Sequence, residues 1–93
     1  MSNDAGRVLR VAGAQMGSIS RHDPRERTVE RLIALLDRAA DQRAELVVFP
    51  ELALTTFFPR WLLTDQRELE GFFERTMPNP SVQPLFHRAA RVA

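Results

Sequence analysis

Glu51 is the side chain of this sequence best placed to do chemistry. It follows the apolar run Leu46-Val47-Val48-Phe49 and a proline, Pro50. A short run that is apolar on both faces suits a buried strand of a parallel sheet. Ligands of open α/β sheets bind beyond the carboxyl ends of such strands. A carboxylate held there, between Phe49 and Leu52, would be partly desolvated and raised toward the range of a general base. Two plainer readings stay open at this point: a solvated Glu at a strand end, or the ion-pair partner of one of the many Arg.

The other candidates are weaker. His22 and His87 are the only two imidazoles. Neither has a second His or a Cys at ligand spacing, so no metal site is expected and both read as solvated. Arg60 beside Trp61 could hold an anion or stack on a ring, or could simply belong to loop packing. Thr55 and Thr56 could hydrogen-bond a substrate, but more commonly such residues brace loop backbone. Phe57, Phe58, Phe72 and Phe73 read as core or interface. All thirteen basic residues are Arg, and there is no Cys. These 93 residues therefore carry no disulfide, thiolate ligand or Cys nucleophile. They also carry no ammonium side chain for catalysis. There is no glycine-rich phosphate loop and no GxSxG elbow.

The elements that must position Glu51 follow from periodicity. Residues 8–14 read as a buried strand, with Gly13 allowing close approach of another segment. Residues 15–20 read as a loop. Asp23-Pro24-Arg25-Glu26 predicts a helix start, with Asp23 as cap and Glu26 closing a capping box. Val29, Leu32, Ile33, Leu36, Ala39 and Ala40 then form one apolar stripe of a helix over residues 24–43. Strand, helix and second strand make a βαβ unit. Residues 51–64 form a loop too apolar to be a plain linker. Asp65 and Glu68 predict a helix to about residue 75. Residues 77–80 predict a turn. Ser81 is the expected cap of a last helix, placing Pro84 at its third position, where a missing N–H costs nothing. Val82, Leu85, Phe86, Ala89 and Ala90 would be its apolar face.

Composition bounds the rest. The chain is 44% hydrophobic and 27% charged, with a net charge of +1. It is globular in composition, and its Arg residues alternate with acids, which excludes a nucleic-acid module built on clustered positive charge. No apolar run approaches the roughly 20 residues needed to span a bilayer, and no targeting segment is visible. A soluble, cytoplasmic protein is the expectation. Residues 1–6 are expected to be disordered, and residues 7–93 to form the front of a larger, incomplete α/β domain, since two parallel strands do not make a stable sheet alone.

Residues 47–61, V-V-F-P-E-L-A-L-T-T-F-F-P-R-W, resemble the first catalytic motif of the nitrilase, or carbon–nitrogen hydrolase, superfamily. The stretch from Leu54 to Trp61 resembles in particular the N-carbamoyl-D-amino acid amidohydrolase branch. Val11-Ala12-Gly13-Ala14-Gln15, the Thr64-Asp65 helix start, Met77-Pro78 and Pro84-Leu85-Phe86 also fit that branch. The resemblance implies an α/β fold, with this chain as the N-terminal β-α-β-loop-α-α part of an α-β-β-α sandwich. It implies hydrolysis of a non-peptide C–N bond in a small carbamoyl or amide substrate, no cofactor or metal, and homo-oligomers of the full-length enzyme. It implies that Glu51 is the catalytic general base, acting with a Cys nucleophile and a Lys that stabilises the oxyanion. Those two partners lie beyond residue 93 in the family, as do the branch's Arg residues that bind the substrate carboxylate, so Arg60 takes no such role. These residues alone are expected to be inactive.

Overall fold

A computed structural model describes residues 6–58 and 64–92. Two parallel strands and three helices follow in the order β1 (Val11–Gly13), α1 (Arg25–Asp41), β2 (Leu46–Val48), α2 (Gln66–Glu70) and α3 (Gln83–Val92). This is the mixed α/β order that the sequence predicts. Val11, Ala12 and Gly13 pair in register with Leu46, Val47 and Val48. Ala14 extends the ladder by donating its N–H to the Val48 carbonyl at 2.8 Å.

The stripe of α1 forms the core. Val29, Leu32, Leu36 and Ala39 are buried, and Val82, just before α3, closes over them. Ile33 and Ala40, at the margins of the stripe, are half-buried. Thr28 is also buried, which the apolar pattern does not reveal. Two ion pairs reinforce this packing. Arg88 of α3 reaches Asp37 of α1 at 2.5 Å. Arg25, at the start of α1, grips Glu74 with both terminal nitrogens, at 3.0 and 2.8 Å.

Several expected details differ. Both strands are shorter than predicted, and their outer residues are exposed: Val11 by 52% and Val48 by 54%. The helices cover one face of the sheet, reached by the half-buried Ala12 and Val47, and nothing among the described residues covers the other. Gly13 meets no neighbour, since a Cβ there would stand in open space. The Asp23 capping box does not form. Pro24 occupies the cap position with extended backbone and no side-chain cap, so Asp23 lies one residue too early. Its carboxylate instead accepts from the Ser20 N–H at 3.1 Å.

The later helices start and stop differently as well. Asp65 caps α2 as predicted, accepting from the Arg67 N–H at 2.9 Å, but Glu68 pairs with Arg21 rather than closing a box. The helix ends at Glu70, short of the predicted residue 75. Tight turns after Gly71 bring both to Phe58, with ring centroids 4.9 Å apart for the stacked Phe72 and 5.6 Å for the edge-on Phe73. Before α3 it is Asn79, not Ser81, that accepts from the Val82 N–H, and Ser81 donates its hydroxyl to the same Asn79 oxygen. The predicted apolar face of α3 is only partly used: Leu85 is half-buried, while Phe86, Ala89 and Ala90 are exposed. Leu85, Phe86 and Ala89 border an open apolar hollow of about 370 Å³ between α1, β2 and α3. Of the segment expected to be disordered, residues 1–5 lie outside the described residues, and Gly6 adopts a φ of 81°.

Candidate active site

The site is built by the end of β2. Pro50 has no N–H to donate, so the ladder stops there and the chain turns. Glu51 opens that turn and Leu52 follows with φ 55°, a left-handed conformation that a side chain of this size rarely adopts. Thr55 closes the turn by donating its N–H to the Leu52 carbonyl at 3.3 Å. Such a conformation costs on the order of 1–3 kcal/mol and needs support from its surroundings. It lets the turn reverse tightly, leaving Glu51 at the carboxyl edge of the sheet.

Because β1 and β2 are parallel, the loop that leaves β1 emerges at the same edge. Met16, Ser18 and Ile19 from that loop and Glu51, Leu52 and Phe57 from the turn line a cleft of about 150 Å³. The loop is held from below. Arg31, on α1, donates from Nη2 to the Gly17 carbonyl at 2.9 Å and from Nη1 to the Ser18 carbonyl at 3.1 Å. Asp23 and Ser20 exchange further bonds at the far end of the loop.

Glu51 itself is exposed, so the expected desolvation is not found: the sheet is covered on one face only, and this edge opens to water. Among the described residues no hydrogen bond or ion pair engages its carboxylate. What remains is an ionisable oxygen acceptor facing a small cleft with mixed apolar and polar walls. It can take a proton from an acid brought close to it.

The other predicted residues separate. Thr55 and Phe57 line the cleft beside Glu51, whereas Thr56 is buried and its carbonyl accepts from the Phe58 N–H. His22 is exposed beside a separate polar hollow, and His87 is exposed on α3 with its Nε2 3.1 Å from Gln83 Nε2. Arg60 and Trp61 lie outside the described residues. Among the described residues no cluster of three or more acidic or imidazole side chains is placed to hold a metal ion. Sequence reasoning missed the wall formed by residues 16–19 and the role of Arg31. The signal for the wall was the βαβ topology itself, which brings the first loop and the second strand end to one edge.

The family model described as carbon-nitrogen hydrolase matches residues 10–92. The matched span begins one residue before β1 and ends with α3, so it takes in the turn that carries Glu51 and both walls of the cleft. With nearly its whole length matched in this way, the chain belongs to the carbon-nitrogen hydrolase family.

Proposed function

We propose that Glu51 is the proton acceptor of a site that hydrolyses N-carbamoyl-D-amino acids to D-amino acids, carbon dioxide and ammonia. The observation that carries this reading is the Glu51 carboxylate, unpaired among the described residues and set in a cleft just beyond β2 at the carboxyl edge of parallel strands. Family membership supports C–N hydrolysis in general. The likeness of residues 54–61 to the D-carbamoylase motif supports the narrower substrate.

In the proposed reaction Glu51 takes the proton of a Cys thiol, and the thiolate attacks the carbamoyl carbon. An ammonium group stabilises the oxyanion that forms. The tetrahedral adduct collapses as the C–N bond breaks, and the proton leaves with the departing amine. Water then attacks the thioester-like carbon, giving its proton to Glu51, and the thiol is regenerated. Net, one water enters and carbamic acid decomposes to carbon dioxide and ammonia. The thiol and the ammonium must come from outside these 93 residues, which contain neither Cys nor Lys. The 93-residue chain alone therefore hydrolyses no carbamoyl amino acid.

The test is ammonia release from N-carbamoyl-D-, N-carbamoyl-L- and β-ureido acids by a protein in which this segment is continuous with sequence supplying Cys and Lys. Preference for the D-carbamoyl substrate is expected. Preference for a β-ureido acid would place the chain in another amidase branch, and no turnover of any of them would point to a non-catalytic segment.

A further inference from the structure

We propose that Arg31 is the positioning residue of the Glu51 cleft, fixing the wall of residues 16–19 through the Gly17 and Ser18 carbonyls. The proposal rests on the reading of Glu51 as proton acceptor.

Two observations carry it. The guanidinium of Arg31 donates to two successive carbonyls, 14 and 13 residues earlier in the chain, from its two terminal nitrogens. A planar fork that bonds two neighbouring carbonyls sets both the position and the orientation of that backbone, which a single point charge does not. Independently, Gly17 is fitted to the clamp: a Cβ at that position would lie 3.3 Å from Arg31 Nη2, closer than ordinary van der Waals contact. Arg31 sits on the regular 17-residue helix α1, whose buried stripe anchors it to the core. The wall is thereby tied to a rigid element, although the loop has no regular structure of its own. Any group brought to Glu51 enters between that wall and the Leu52 turn. The width of the entrance is set by Arg31, which touches no reacting atom and is not a catalytic residue.

The test uses the 93-residue chain labelled at the methionine ε-methyl carbons. There are three methionines, and Met16 lines the cleft while Met77 lies in a separate hollow and serves as a reference for folding. The Met16 methyl signal is followed over a pH titration in the native chain and its variants. Other ionisable side chains, Asp23 and His22, belong to the same loop, so Glu51→Gln identifies the step that belongs to Glu51. We expect that step in the native chain, its loss in Glu51→Gln, and its loss in Arg31→Gln with the Met77 signal unmoved. Arg31→Lys keeps the charge without the fork and is expected to retain at most part of the step. If Arg31→Gln displaces Met77 as well, Arg31→Lys decides. A step undiminished in a folded Arg31 variant, or one that survives Glu51→Gln, would overturn the proposal. A Glu51→Gln enzyme that kept full hydrolysis would overturn the reading of Glu51 and leave the clamp standing.

Discussion

Single residues in this protein are held by partners that set their charge. Glu74 accepts two hydrogen bonds from Arg25 and a third from the Asn79 amide at 2.8 Å. The Arg25 bonds hold its carboxyl below the ordinary value near 4.5; Asn79 and the Arg25 charge act in the same direction, and partial burial opposes them. A carboxyl lowered in the folded state stabilises the fold above its unfolded pKa and loses that contribution as the pH falls through its folded pKa. Urea unfolding at neutral pH should find Glu74→Gln less stable by about 1 kcal/mol, and the deficit should shrink below about pH 4. An undiminished deficit in acid would show that charge is not the cause. Glu51 contrasts with this triad: among the described residues nothing engages its carboxylate, and the residue is exposed. Its place just after β2 is legible in the sequence, because an apolar run stopped by Pro marks where the strand ends. Its exposure is not legible, because that depends on what covers the sheet. Arg31 is hidden for a related reason: on a helical wheel it is one more charge on the polar face, and its role exists only once the β1 loop lies beside it.

At the level of elements, periodic patterns read true and their ends do not. The α1 stripe correctly selects Val29, Leu32, Leu36 and Ala39 as core. The helix ends turn on single residues: the cap position of α1 falls one residue after Asp23, at Pro24, with no side-chain cap, and Asn79 makes the bond expected of Ser81. The C-terminus of α1 shows what the sequence hides. Ala44 donates to the Ala39 carbonyl and Arg43 to the Ala40 carbonyl, at 3.0 and 2.9 Å, with Arg43 at φ 62°. This is a Schellman arrangement with Arg where glycine is preferred. Arg43→Gly should raise stability by about 1 kcal/mol, seen as a higher urea midpoint with an unchanged slope. A lower midpoint would mean that the Arg43 side chain contributes more than its backbone strain costs.

The whole molecule has a small core on one side of a two-stranded sheet. Leu32, 1% exposed, is its largest fully buried side chain. Leu32→Ala should cost about 2–5 kcal/mol, measured by thermal unfolding, and a smaller loss would show that the surrounding helices collapse into the space. The outer sheet face presents Val11, Leu46 and Val48, and both strands have an unpaired edge. A radius of gyration of 16.6 Å exceeds the roughly 12 Å of a compact chain of this length. Exposed edges and apolar faces of this kind favour association. Light scattering across a concentration series should therefore show the 93-residue chain self-associating; a monomer with one sharp unfolding transition would contradict this. The α/β order was readable from periodicity, but which face of the strands stays uncovered was not, since both of their faces are apolar.

All three levels converge on one carboxylate at one sheet edge. The decisive measurement is kcat for ammonia release from an N-carbamoyl-D-amino acid, comparing Glu51 with Glu51→Gln in a protein that joins this segment to sequence supplying a Cys and a Lys. If Glu51 is the proton acceptor, the substitution lowers kcat by about 10²–10⁴-fold while the protein stays folded. A folded Glu51→Gln protein with undiminished kcat would contradict that assignment.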